Sequence, residues 1–549
     1  MEAAAPRRLL FLVFLGALLF FLAGTWTHSL FDSDEPRFAE ASRDMLARGD
    51  LLLPMLNGEP RLDKPVLVYW GQMIGYSLFG VGETGARFPS ALGLALAVML
   101  TVRMATRMSG LRAGLLAGLV LATSLQAGVS GRASTADGLL LGCVMLALDA
   151  LHRRVRGERT FATWLAFWVA FGLCGLAKGP PGQVVPIVAG IGAFRLLRPE
   201  ERGRALAGAT AGFFLATAIV LAWAIPVDLR TDGGIFRVAL GEHVLSRAGG
   251  GVSGHGGWAP WWFLYYVVSV PISFFPWSAW LPNAWRRWRD TGIDPRDRTF
   301  LAWWIAGTLL VFTAVIGKRP HYVLPALPAL AMLVGGAISA GRGRPSRAGT
   351  WLVTAMFAAA TLGFAYVSTK PGFPDLRHGG IVLLLALVVP LLRMVGPRRS
   401  ARTAVPAAVL VSATLFAVLL FWVLPALERH RLVPRAAAAL AEAAPPGTRR
   451  VVMDFRPDGL VYDSQRDADG RRTTETTVPL EHVTRGKPLL ELLRSGKPVA
   501  VVMTEERHDR ILEAQGLDRL PATLAWEGTG FFAKKSEWET VRIYVAPER

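Results

Sequence analysis

Cysteine is almost missing from this chain: its 549 residues hold two, Cys143 and Cys174, both inside apolar runs. Two thiols so placed offer no disulfide framework and no zinc spacing, and their ordinary role is that of small buried hydrophobes. Charge is scarce as well. Only 18% of the residues are Asp, Glu, Lys or Arg, whereas soluble domains carry about a quarter. The charge present leans to one sign, with 60 Lys and Arg against 41 Asp and Glu and a net +19. Such an excess can mark a nucleic-acid surface, but no basic platform interleaved with aromatics occurs, so no nucleic-acid partner is expected. Nucleotide-binding devices are also lacking: the polar C-terminal region has neither a GxGxxG loop nor a P-loop.

What the chain has in quantity is apolar sequence, 52% hydrophobic with a mean hydropathy of +0.37. Eighteen Trp and thirty-five Pro suit a polytopic membrane protein, where aromatics belt the interfaces and Pro is tolerated within spans. Runs long enough to cross a bilayer, about 17–25 residues, fall at 9–27, 84–107, 111–130, 135–152, 160–178, 179–197, 205–228, 260–283, 299–317, 320–341, 348–367, 378–396 and 402–426. The fifth and sixth are joined only by "AKGPPGQ", which reads as a tight hairpin. The N-terminal run after Arg7-Arg8 has the look of a signal peptide. No small-residue cleavage site precedes the acidic stretch behind it, so an uncleaved first span is expected.

Charge then orients these thirteen spans. With the N-terminus cytoplasmic, the loops after the even-numbered spans return to the cytoplasm, and they read "RMATRMSGLR", "HRRVRGER", "FRLLRPEERGR", "WRRWRDTGIDPRDR", "GRGRPSR" and "RMVGPRRSAR". All are short and basic, as the positive-inside rule requires. Much of the +19 is therefore a topology signal. An odd count places the C-terminus on the opposite, non-cytoplasmic side. From 428 onward strand-like runs such as "VVMDFRPDGLVYDSQR", "KPVAVVMTEE" and "TVRIYVAPER" flank a helical "PLLELLRSG", which predicts a small α/β domain. The expected division is a membrane domain at 1–427, with a first polar loop at 28–83, and a soluble domain at 428–549.

The residues able to do chemistry gather in the non-cytoplasmic loops. "FDSDEPRFAEASRDMLARGD" (31–50) brings Asp32, Asp34, Glu35, Glu40 and Asp44 together beside a membrane span, an expensive place for carboxylates. Phe38, Ala41, Met45 and Leu46 recur at helical spacing after Pro36, so an amphipathic helix lying at the interface is expected, Asp34 and Glu35 at its head. Asp34 is then either a helix cap or a reacting group, and both roles can coexist. Further along, Asp63-Lys64-Pro65 precedes a second amphipathic segment with Tyr69, Trp70, Tyr76 and Phe79. Lys64 can snorkel or hold a phosphate as a point charge. Asp137 opens the fourth span, and Lys178 sits at the hairpin. "GEHVLSR" offers Glu242, His243 and Arg247, with His255 in the Gly-rich run behind it. "GKRPHY" delivers Lys318, Arg319, His321 and Tyr322. Carboxylates, cations and a tyrosine on one membrane face suit a lipid-linked anionic donor: cations hold a phosphate leaving group and a carboxylate deprotonates the acceptor.

The blocks "DEPRFAEASRDMLARGDLLLPMLNGEPRLDKPVLVYW", "LFGVGETGARFPSALG", "AKG", "GEHVLSR" and "KRPHYVLPALPAL" resemble the dolichyl-phosphate-mannose-type membrane glycosyltransferases, in particular the bacterial 4-amino-4-deoxy-L-arabinose (lipid A) transferases. The likeness spans about residues 5 to 425. It implies a GT-C fold with about thirteen transmembrane helices and juxtamembrane helices, plus a periplasmic α/β domain, in a multi-pass inner-membrane protein. The implied reaction is an inverting transfer of a sugar from undecaprenyl phosphate or another polyprenyl phosphate to a lipid or glycan acceptor among the membrane lipids, aminoarabinose to lipid A being the family's best-known case. It further implies Asp34, Glu35 and Asp137 as catalytic carboxylates, and Arg37, Lys64, Arg247, Tyr322, Lys178 and Lys318 as holders of the donor phosphate. A divalent metal at Asp63 and His243 is left open, because Asp63 stands where that branch commonly has Glu. A lipid transporter or flippase is the competing class. It calls for inverted repeats and ionisable residues near the bilayer midplane, and neither is evident.

Overall fold

The structure is a computed structural model, and it describes residues 5–31, 34–237, 264–289, 293–315, 318–341, 343–368, 388, 392, 400–445, 447–453, 455, 457–465, 472–473, 475, 477–532 and 537–547. The span expected at 378–396 thus lies almost wholly outside the described residues, as do Asp32, Glu242, His243, Arg247 and His255.

The first half of the chain is helical: α1 Arg7–Leu22, α2 Asp34–Arg48, α3 Leu67–Phe79, α4 Glu83–Ser109, α5 Leu111–Ala122, α6 Leu125–Ser130, α7 Ala136–Val155, α8 Phe161–Lys178, α9 Pro180–Arg195 and α10 Pro199–Arg230. Further helices cover Tyr265–Ser273, Leu281–Arg289, Pro295–Ala314, Leu327–Ser339, Arg347–Ser368 and Ala401–Val418. Among the described residues, five helices are long and apolar enough to cross a membrane by length and composition alone. Several expected spans are broken rather than continuous. The run at 111–130 divides into α5 and α6 at Thr123 and Ser124, where Trp277 Nε1 donates to the Thr123 hydroxyl (3.0 Å) and Ser412 to its carbonyl (2.6 Å). The run at 320–341 begins as a 3₁₀ turn, Pro320–Ala326, before its α-helix.

By contacts the chain forms two compact units: one comprises residues 1–25, 62–68 and 87–423, the other 26–61, 69–86 and 424–549. The first is the helical bundle. Transmembrane packing has little hydrophobic drive of its own and relies on small residues that admit close backbone approach. Gly138 and Gly142 of α7 provide this against α4, since a Cβ on Gly138 would stand 2.7 Å from Ser90 Cα and one on Gly142 2.9 Å from Gly93 Cα. Two buried arginines close the end of α1: Arg132 donates to the carbonyls of Ala23 and Phe20 and stacks over Phe20, and Arg87 donates to Thr25 O at 2.7 Å.

The second unit holds a short antiparallel pair, β1 Met55–Leu56 with β2 Glu59–Pro60, and a five-stranded sheet in the order β4-β3-β5-β7-β6, from β3 Arg449–Met453, β4 Leu480–His482, β5 Val499–Thr504, β6 Thr523–Phe532 and β7 Glu537–Ala546. β3 pairs in parallel with β4 and β5, while β7 is antiparallel to β5 and β6. β5 is buried at every position, as its run of Val, Ala and Met requires. Helices Leu432–Ala443 and Gly486–Leu493 cover the sheet with Leu432, Ala436 and Leu440, and with Leu489, Leu490 and Leu493. Residues 458–464, inside a stretch expected as strand, are helical.

α2 belongs to this second unit, and its surroundings differ from the interfacial expectation. Its polar face is not solvated: Glu40, Arg43 and Asp44 are buried along with Phe38, Ala41 and Met45. Glu40 and Arg43 pair across one turn of the helix (2.9 Å) with both side chains fully enclosed. A charge can leave water only when paired and hydrogen-bonded, and chain segment 473–477 completes that pairing: Arg43 donates to the carbonyls of Thr473 (3.1 Å) and Glu475 (2.5 Å) and to Thr477 Oγ1 (2.7 Å).

Candidate functional site

In the bundle, four of the expected residues come together where α7 begins and α8 ends. Asp137 is the second residue of α7, seated by the Gly138 and Gly142 contacts. Lys178 is the last residue of α8, placed there by Gly179, whose φ of 67° turns the chain directly into α9. Their side chains form an ion pair, Nζ to Oδ1, at 2.5 Å. His321 Nε2 lies 4.0 Å from the other carboxylate oxygen, and Thr135 Oγ1 lies 3.5 Å from it. Lys178 also stands 5.4 Å over the ring of Tyr322, which meets His321 edge-on at 4.9 Å and Phe312 at 5.1 Å. Lys64 adds its positive charge to the field at Asp137, and its ammonium donates to the Asp63 carbonyl at 3.1 Å. The cluster thus sets the Lys178 ammonium and the His321 imidazole beside the Asp137 carboxylate, with the Asp63–Lys64 pair contributing a second ammonium and a second carboxylate. Asp137 orients Lys178; the cations can neutralise a phosphate, and the Tyr322 hydroxyl can donate a hydrogen bond to it.

The structure gives Lys318 other partners. Its ammonium reaches the carbonyls of Thr313 (2.5 Å) and Val315 (3.1 Å), closing the end of helix Pro295–Ala314, and stands 5.8 Å over Tyr266.

In the second unit, Asp34 is the first residue of α2 and is exposed; among the described residues its carboxylate has no partner. A negative charge in the first turn is favoured by the helix dipole. Glu35 is buried and accepts the Phe31 amide at 2.7 Å, so it bridges the approach to the helix. Arg37 pairs with Asp458 at 2.9 Å. Among the described carboxylates of the acidic stretch, Asp34 is exposed whereas Glu35, Glu40 and Asp44 are buried.

For a divalent metal, the described residues give no ligand set: no three His, Cys, Asp or Glu side chains converge, and Asp63 has the Lys64 ammonium 3.8 Å away. A cation beside that ammonium is disfavoured, and no step is derived through a metal.

Sequence reading passed over the buried charges of the second unit. Arg472 bonds Glu83 (2.6 Å) and Asp463 (2.7 Å), and stacks over Tyr462. Arg431 grips residues 29 and 30. The i,i+3 spacing of Glu40 and Arg43 was a local signal, whereas Arg472 and Glu83, like Arg431 and residues 29 and 30, lie some four hundred residues apart.

Comparison with known proteins agrees with this architecture. Residues 63–228 match the family described as dolichyl-phosphate-mannose-protein mannosyltransferase. The undecaprenyl phosphate-α-4-amino-4-deoxy-L-arabinose arabinosyl transferase of Pseudomonas aeruginosa (strain LESB58) is 31% identical over 330 residues, 58% of this chain and 58% of that protein. The second such transferase of Pseudomonas fluorescens (strain Pf0-1) is 29% identical over 67% of this chain and 68% of its own length. The chain therefore spans a little over half the length of the first of these relatives. In three dimensions it resembles ArnT from Cupriavidus metallidurans, crystallised with undecaprenyl phosphate, with a TM-score of 0.77 at 21% identity over 99% of this chain and 98% of that one. The last likeness establishes the fold of this chain as GT-C.

Proposed function

We propose that this protein is a glycosyltransferase of the bacterial inner membrane that moves a sugar from a polyprenyl-phosphate donor to a periplasmic acceptor, aminoarabinose to lipid A being the leading case. The observation carrying this reading is the cluster of Lys178, Lys64, His321 and Tyr322 around Asp137, at one end of a GT-C bundle. It matches what a departing phosphate needs: fixed donors and positive charge aimed at the oxygen that gains charge. In the reaction the bond from the anomeric carbon to the phosphate oxygen breaks with its electron pair leaving on the phosphate. The acceptor hydroxyl forms the new bond from the opposite face, and its proton passes to a carboxylate. Asp34, exposed at the head of α2, is the carboxylate assigned that role; Lys64 and Lys178 are assigned to the phosphate. Arg247 and His243 lie outside the described residues, and the sequence-based roles proposed for them are unchanged. The relatives' names and the donor lipid in the similar crystal structure support the choice of substrates. In this reading the N-terminus is cytoplasmic and the sheet domain periplasmic.

The test is turnover by purified protein in vesicles containing polyprenyl-phosphate sugar and lipid A. Wild type is expected to release polyprenyl phosphate and glycosylate the lipid. Asp34→Asn is expected to lose at least about 100-fold in rate, as removal of a general base does, and Lys178→Ala to lose a comparable factor. Turnover intact in both variants refutes the site, and donor movement across the bilayer without cleavage refutes the reaction.

A further inference from the structure

Three ties from beyond residue 424 hold the head and first turns of α2. The Arg431 guanidinium donates through one nitrogen to the Ser29 carbonyl (3.2 Å) and hydroxyl (2.5 Å) and through another to the Leu30 carbonyl (2.6 Å), while lying 4.7 Å over the Phe31 ring. The Phe31 amide is in turn held by Glu35. Asp458, opening helix Asp458–Ser464, pairs with Arg37. Two turns along, Thr477 Oγ1 accepts from Arg43 and sits 2.6 Å from Glu40 Oε1 and 3.0 Å from Asp44 Oδ1. These contacts bracket Asp34 on both sides along the chain and leave its carboxylate exposed. A group that must meet a reacting hydroxyl needs positional precision.

We propose that Arg431, Asp458 and Thr477 are positioning residues for Asp34, so that the sheet domain is part of the catalytic apparatus rather than an appended receptor. Arg37 then serves the helix through Asp458 and not the leaving phosphate. This rests on the assignment of Asp34 as the base.

Full-length protein in vesicles with polyprenyl-phosphate sugar and acceptor lipid tests it. Asp458→Asn and Arg431→Lys are expected to lower kcat by up to about 100-fold, the effect of a misplacement of about an ångström, with the donor KM within about twofold of wild type. Exchanging the charges in Arg37→Asp with Asp458→Arg is expected to restore most of the kcat that Arg37→Asp alone removes. Loss expressed in KM, or a double variant no better than the single one, overturns the proposal. Amide hydrogen exchange at residues 31–37 is read on the same proteins and is expected to quicken in Asp458→Asn and Arg431→Lys. Unchanged protection overturns the proposal too. Should wild type turn over no donor, the transfer reading fails while the exchange measurement still judges the strap.

Discussion

Arg43 carries a charge that in sequence belongs to the polar side of an amphipathic helix, yet it is entirely enclosed. Burial alone would lower the affinity of its guanidinium for the proton; the Glu40 carboxylate, with Asp44 beyond it, outweighs that and raises it above its ordinary value. Removing one partner leaves the other charge buried and uncompensated. Arg43→Met is therefore expected to cost about 3–5 kcal/mol, seen as a lowered Tm in the thermal unfolding of purified protein. Because the folded-state pKa is raised, the Arg43 contribution is complete below the guanidinium's unfolded value and is lost only as pH rises past it. The Tm margin between wild type and Arg43→Met is thus expected to be equal at about pH 7 and about pH 9, and a margin that narrows across this range contradicts the assignment. The sequence marked residues 34–44 as chemically unusual. It could not separate Asp34, which is exposed, from Glu40, which is structural, because Glu40 is enclosed against Thr477, more than four hundred residues away.

At the scale of elements, helix lengths and the α8–α9 hairpin were legible, since span length is set by the thickness of hydrocarbon and the turn by Gly179 and the prolines after it. The breaks were not. Residues 111–130 are apolar throughout, and it is a tryptophan from residue 277 that fixes the Thr123 corner. The seat of Asp137 also depends on contact between helices. Replacing Gly138 by leucine drives a side chain into the Ser90 backbone, so Gly138→Leu is expected to reduce the yield of folded protein in detergent, judged by size-exclusion profile, and to abolish turnover. Gly203→Ala in α10, where a Cβ meets nothing within 4 Å, is expected to leave both unchanged. Equal behaviour of the two variants would remove the packing argument.

Taken whole, the molecule joins parts that are remote in sequence: residues 26–61 and 69–86 form one compact unit with 424–549. A chain ended at Val423 keeps every residue of the cluster around Asp137 but loses Arg431, Asp458 and Thr477, which hold α2 from beyond residue 424. Such a protein is expected to be inactive and to be cut by protease within residues 29–48 under conditions that spare the full chain; full turnover by the truncated chain would deny the sheet domain any part in the reaction. The sequence by itself determined the apolar spans, the basic loops between them and the strand-rich end, because each depends on local composition meeting a bilayer or a sheet. Only the tertiary structure decided which charges are free to react. Charge-assisted hydrogen bonds such as those of Arg43 to Thr473 and Thr477 and of Arg431 to Ser29 and Leu30 close across some four hundred residues, and their energies come from burial that no local pattern encodes.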